Sequence, residues 1–143
     1  MARGASKEYR DRLAQVSLFR GCDRAELDAI AQLGTEVTVE AGKELTTEGG
    51  AAQEAFLVME GTASCTKGGV RVAEFHPGDF FGEMALISRR SRTATVTADA
   101  AMRLMVFHVT EFNRMLDETP AIAVKILRTT AERLLDATDA ASH

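Results

Sequence analysis

The chain has 143 residues, 45% hydrophobic and 27% charged, with a formal net charge of -4 and a pI near 5.4. That length suits one domain burying its own core, and the acidic balance argues against broad nucleic-acid binding, which leaves a basic footprint. Two cysteines, Cys22 and Cys65, are too few for a disulfide framework and read as reduced and structural. No apolar run nears the ~20 residues of a membrane span. Met1 to Arg12 lacks an apolar signal stretch, so a cytoplasmic soluble protein, or a domain of a larger one, is expected.

In chain order, the first elements read as helices. Lys7 to Gln15 mixes charges with Tyr9 and Leu13. Asp23 with Glu26 three residues on forms a capping-box pattern, followed by Leu27, Ile30, Ala31 and Leu33 at helical spacing and a stop at Gly34. The period then changes. Glu36 to Val39 alternates as a strand, and Lys43 to Thr47 and Ala55 to Met59 follow, separated by glycine turns. Thr62 to Thr66 and Val70 to Phe75 flank Gly68-Gly69 as a hairpin. After the turn Pro77-Gly78-Asp79, the strands Arg92 to Ala98 and Met102 to His108 complete the set. Short, evenly spaced strands predict a sandwich or jelly roll. The chain closes on two helices, Val109 to Leu116 and one opened by Thr119-Pro120. In the second, Ile122, Ile126, Leu127, Thr130, Leu134 and Leu135 are expected to line one face to about Thr138. The expectation is one α+β domain over 1–143, with N-terminal helices at 7–33, an antiparallel β-roll at 35–108 and C-terminal helices at 109–138.

The stretch Phe80-Phe81-Gly82-Glu83-Met84-Ala85-Leu86-Ile87 does not read as another strand. Good helix formers follow Gly82, so a short helix is expected to start there, between two strands. Its first turn leaves backbone N–H groups unpaired, a ready site for a phosphate. Gly82 lets a ligand approach the backbone. Arg92 lies nine positions after Glu83 and offers a planar fork that matches phosphate oxygens. A carboxylate beside a phosphate repels it unless the carboxylate holds a sugar instead. That logic assigns Glu83 to a ribose and Arg92 to a phosphate, the combination a ribose cyclic phosphate needs.

Phe81-Gly82-Glu83-Met84-Ala85-Leu86-Ile87, four spacers and Arg92-Thr93-Ala94-Thr95-Val96 resemble the phosphate-binding cassette of the cyclic-nucleotide-binding domain family. That family includes catabolite activator proteins, regulatory subunits of cyclic-AMP-dependent kinase and cyclic-nucleotide-gated channels. Glu48-Gly49, Phe56-Leu57-Val58 and Gly61 are similar to a second family pattern, and Pro77 to Glu83 to its cassette lead-in. The resemblance covers about Val16 to Leu135. It implies a double-stranded β-helix in which Glu83 takes the ribose 2′-hydroxyl and Arg92 the exocyclic phosphate oxygens. Backbone N–H groups around Phe81, Gly82, Glu83, Met84, Ala85, Thr93 and Ala94 complete the pocket. It implies Val72 and Leu57 beside the base and Arg133 over it. The sequence departs from the family in the loop after Glu48, where Gly50 and Gln53 replace common acidic residues, and in the basic spacers Arg89 and Arg90.

An enzyme reading fails on motifs. His76, His108 and His143 form no H-x-H pair, and neither a nucleophile elbow nor a P-loop is present. No catalytic residue, metal or cofactor is therefore expected, only a cyclic nucleotide as ligand. Met84, Met102, Met105 and Met115 read as core filler. The first function is a regulatory module whose C-terminal helices carry the signal to a second copy of the chain or to an output domain. The alternative is a ligand-free scaffold of the same fold that binds other proteins. Base choice turns on Thr93: in the family, a hydroxyl there accompanies cyclic GMP in eukaryotic members and also occurs in bacterial members that take cyclic AMP. The bacterial look of the sequence favours cyclic AMP.

Overall fold

The computed structural model describes residues 2–82 and 92–141, with backbone alone at 2–6, 133 and 136–141. The chain divides into two units, Leu33–Phe112 and the two chain ends, Met1–Gln32 with Asn113–His143.

The central unit holds eight strands among the described residues: β1 (Thr35–Val39), β2 (Glu44–Thr46), β3 (Glu54–Glu60), β4 (Ala63–Lys67), β5 (Val70–Phe75), β6 (Phe80–Phe81), β7 (Thr95–Ala98) and β8 (Met102–His108). They form two four-stranded sheets, ordered β1-β8-β3-β6 and β2-β7-β4-β5, with antiparallel pairing throughout. This is the expected jelly roll. Its interior is built by alternation. Phe56 and Val58 of β3, Ala63 and Cys65 of β4, Phe81 of β6, Val96 and Ala98 of β7, and Met102, Leu104 and Val106 of β8 share one apolar cluster. The intervening residues of β3 and β8, Leu57, Met59, Met105 and Phe107, are also buried, so these two strands are apolar on both faces. Gly61 makes the β3–β4 corner at φ 90°, where a Cβ would stand 2.5 Å from the Ala101 carbonyl oxygen, so no larger residue fits.

Phe80-Phe81 corrects one expectation. The pair does not lead straight into a helix but forms β6, in register with Leu57 and Phe56 of β3. An existing strand edge satisfies its backbone, which outweighs the local signal of the glycine that follows. The short helix expected after Gly82 lies outside the described residues. A second difference is the start of β7, at Thr95 rather than Arg92.

The other unit contains α1 (Ala2–Leu13), a 3-10 turn at Ser17–Phe19, and most of α2 (Arg24–Leu33). From the other end of the chain it takes the later part of α3 (Val109–Glu118) and all of α4 (Pro120–Ala141). The capping box at α2 is formed reciprocally: the Glu26 N–H donates to Asp23 Oδ1 at 2.9 Å, and the Asp23 N–H donates to Glu26 Oε1 at 2.8 Å. Glu26 also receives Lys125 of α4 at 2.5 Å, and Arg10 of α1 pairs with Asp28 at 2.9 Å. Leu13, Leu18, Phe19, Ile30 and Ile122 are fully buried.

The expected apolar face of α4 is corrected. Ile122, Ile126 and Thr129 form the buried stripe at four- and three-residue spacing, while Thr130 is half-buried. Leu127, Leu134 and Leu135 fall more than 100° off that stripe at ~100° per residue, and each is over 60% exposed. No helix of the described residues is long and apolar enough to cross a membrane.

Candidate functional site

The site begins at the turn before β6. The His76 N–H donates to Asp79 Oδ2 at 2.8 Å and the Asp79 N–H to the His76 carbonyl at 2.9 Å, closing the Pro77-Gly78 turn. The turn is then sewn to β3. The Gly78 N–H donates to the Val58 carbonyl at 2.8 Å, and the Val58 N–H to the Asp79 carbonyl at 2.9 Å. Phe81 is thereby delivered into the roll, between Phe56 at 4.9 Å and Phe75 at 4.6 Å, with interplanar angles of 14° and 11°. Such offset stacks add about 0.5–1.5 kcal/mol per pair beyond area burial.

Gly82 leaves this stack at φ 74°. A Cβ there would stand 2.9 Å from Arg92 Nη1 and 3.1 Å from the Glu54 carbonyl oxygen. Glycine is needed on both counts: left-handed backbone and a cation directly above it.

Arg92 is brought to Gly82 by its own backbone. Its N–H donates to the Gly50 carbonyl at 2.8 Å, and its carbonyl accepts from the Gly49 N–H at 2.9 Å. The loop that provides this clamp is itself held. The Glu48 N–H donates to Thr95 Oγ1 at 2.9 Å, and Glu48 Oε1 accepts the Gly68 N–H at the tip of the β4–β5 hairpin at 2.9 Å. The Thr46 hydroxyl donates to the Ala94 carbonyl at 3.0 Å. The side chain of Arg92 then reaches inward. Nη2 donates to the Glu54 carbonyl at 2.5 Å, and Cζ lies 6.0 Å from the centre of the Phe56 ring.

Burial pushes the Arg92 guanidinium below its ordinary value, and the charge of Glu54 offsets this in part. Among the described residues no carboxylate lies within ion-pair distance of Arg92. The result is a half-buried cation held by a neutral carbonyl and an aromatic face. A desolvated guanidinium in that state favours an anion with two acceptor oxygens.

Comparison with known proteins gives the family. Residues 36–119 match the family model for the cyclic nucleotide-binding domain. The chain belongs to the cyclic-nucleotide-binding domain family. It is 36% identical over 121 residues to a cyclic nucleotide-gated potassium channel of Mesorhizobium japonicum, covering 85% of this chain and 34% of that protein. It is 30% identical over 117 residues to a cAMP-dependent protein kinase regulatory subunit of Dictyostelium discoideum, covering 76% and 36%. The chain thus spans about a third of each of these relatives. Among solved structures, the N-terminal domain of a transcriptional regulator from Streptomyces coelicolor superposes with a TM-score of 0.83 at 26% identity, covering 93% of this chain and 96% of that one. The family is a regulatory, ligand-binding one, not a catalytic one.

Within this member of the family the structure brings Phe81, Gly82 and Arg92 together. Thr93 is exposed, and Ala94 packs on the roll interior. Glu83, Met84 and Ala85 lie outside the described residues, as do the spacers Arg89 and Arg90 and the side chain of Arg133. Val72 occupies the unpaired position of a bulge: Cys65 pairs with Ala73 and Thr66 with Arg71, leaving Val72 between them, 56% exposed. Leu57 is not brought to Arg92. It stands on the opposite face of β3 from Phe56 and Val58 and is 0% exposed, because strand alternation turns it away from the roll interior. Sequence reasoning missed Phe56, Phe75 and Glu54. Phe56 lies in a run apolar on both faces and Phe75 beyond a bulge, so alternation does not single out either as inward. Glu54 acts through its backbone carbonyl, which no side-chain pattern announces. Burial raises the thiol pKa of both Cys22 and Cys65, and both are free thiols.

Proposed function

We propose that the chain binds a cyclic nucleotide, cyclic AMP in preference to cyclic GMP, and passes the binding event to its C-terminal helices. The observation that carries this reading is the half-buried Arg92 guanidinium over Gly82, without a carboxylate partner among the described residues. In this reading Arg92 pairs with the exocyclic phosphate oxygens, and Glu83 accepts from the ribose 2′-hydroxyl. Backbone N–H groups from Phe81 to Ala85 and at Thr93 and Ala94 surround the cyclic phosphate. Val72, exposed at its bulge, lies beside the base, and Arg133 of α4 stacks over it. Relatives named as cAMP-dependent kinase regulatory subunits, in Dictyostelium and in Schizosaccharomyces pombe, support the adenine choice. No cofactor takes part, and the setting is cytoplasmic.

Transmission follows from linkage. A ligand shifts a conformational equilibrium only by its differential affinity for the two states. In this reading the states differ in α3 and α4, whose surface meets a second copy of the chain or an output domain. Calorimetric titration with cyclic AMP and cyclic GMP, on wild type and Arg92→Ala, is the test. Wild type is expected to bind cyclic AMP more tightly than cyclic GMP, with Arg92→Ala losing both. No binding of either nucleotide by wild type sinks the proposal.

A further inference from the structure

Glu54 meets Arg92 through its backbone and, separately, through its charge. Its carbonyl oxygen holds Nη2 at 2.5 Å and also closes on Gly82. Its carboxylate makes no ion pair with Arg92. Instead Oε2 lies 3.7 Å from Nδ1 of His108, its direct partner across the β3–β8 ladder. The next bond along this edge runs from the Val109 N–H, at the start of α3, to the Gln53 carbonyl at 2.9 Å. Among the described residues, the guanidinium therefore has the Glu54 charge close by, turned toward another strand.

The geometry points to Glu54 as a positioning residue that sets how tightly Arg92 holds an anionic phosphate: its carbonyl aims the guanidinium, while its carboxylate opposes the incoming charge. The inference rests on the reading of Arg92 as the phosphate ligand. A phosphate on Arg92 brings a second anion into the neighbourhood of the Glu54 carboxylate, and like charges disfavour each other there. That carboxylate also acts on Arg92 itself, where its charge offsets in part the effect of burial on the guanidinium. The sign is diagnostic. Losing a supporting contact weakens binding, whereas losing an opposing charge strengthens it. Because the hydrogen bond to Arg92 comes from the main chain, Glu54→Gln removes the charge and keeps the bond.

The experiment is calorimetric titration of the full chain with cyclic AMP at low and high potassium chloride. Glu54→Gln is expected to bind about 3-fold more tightly than wild type at low salt, with the gap closing at high salt as the charge is screened. Glu54→Thr, a neutral residue suited to a strand, is expected to move the same way. Glu54→Asp, which keeps the charge, is expected to stay near wild type. Ligand-free melting temperatures identify any variant that fails to fold, and the other neutral variant then carries the test. If wild type binds cyclic AMP while the folded neutral variants bind equally or more weakly, the role of Glu54 is overturned and the nucleotide site stands. A salt-independent gain also overturns it. If wild type binds no cyclic AMP, both readings fall together.

Discussion

Two arginines of the β-roll are handled in opposite ways. Arg103, on β8, is closed off by carboxylates. Its Nε and Nη2 each lie 2.9 Å from Glu60 Oε2, directly across on β3, and its Nη1 lies 3.3 Å from Glu36 Oε1 on β1. Arg92, just before β7, reaches a backbone carbonyl and an aromatic ring instead. Both side chains are partly withdrawn from water. Only the first has its charge matched among the described residues. Cross-strand pairing supplies Arg103 with anions because the register puts glutamates beside it. At Arg92 the neighbouring positions are Gly49, Gly50 and Gly82, which contribute main chain and space but no counter-charge. The lesson is that what the neighbouring segments contribute, not burial, decides whether an arginine's charge is matched within the fold.

Four substitutions bear on that contrast, in decreasing order of effect. Phe81→Ala removes the middle ring of the stack beneath Arg92. It is expected to cost about 3–5 kcal/mol of stability, read by urea unfolding. A cost like that of a surface substitution would mean that the stack does not support the Arg92 end. Arg92→Ala is expected to weaken nucleotide binding by about 2–5 kcal/mol, at least ~30-fold, while the chain stays folded. In wild type, nucleotide at a hundredfold excess over Kd is expected to raise Tm by about 5–10 °C, and the same concentration raises that of Arg92→Ala by about 3 °C or less. Gly82→Ala forces a side chain into left-handed backbone and against Arg92 and the Glu54 carbonyl. A loss of about 1–3 kcal/mol in stability is expected, together with weaker binding, by the same two measurements. Arg103→Ala is the control from the other sheet. Its exposed ion pairs are expected to contribute under ~1 kcal/mol, and nucleotide affinity is expected not to change. A large loss of affinity in Arg103→Ala would erase the distinction between the two sites.

Much of the architecture was legible before any coordinates. Alternation at Glu36 to Val39, the apolar run Ala55 to Met59 and the glycine and proline turns between short segments located seven of the eight strands. The Asp23/Glu26 capping box is a purely local device, and it forms as read. Gly82 was singled out for the room it leaves beside the backbone; the structure adds a left-handed φ and fills that room with Arg92 and the Glu54 carbonyl. Two further elements were not legible in this way. Phe80-Phe81 reads locally as the lead-in to a helix, and only the free edge of β3 makes it a strand. On α4, apolar letters alone do not say which are covered; Ile122 and Ile126 are, whereas Leu127, Leu134 and Leu135 are not.

The sequence by itself determined the two periods, the turns and the resemblance that names the family. Each follows from interactions between residues close in the chain or from fixed spacing. Tertiary structure alone decided the pairing of strands into two sheets, the outward turn of Leu57 and the seat of the Arg92 guanidinium. Arg92 and Glu54 are 38 residues apart, and the bond between them joins a side chain to a main-chain carbonyl. Every non-proline residue carries the same backbone donor and acceptor. Such a contact leaves no trace in residue identities, and only the packing of β3, β6 and the Gly49-Gly50 loop puts that carbonyl under the guanidinium.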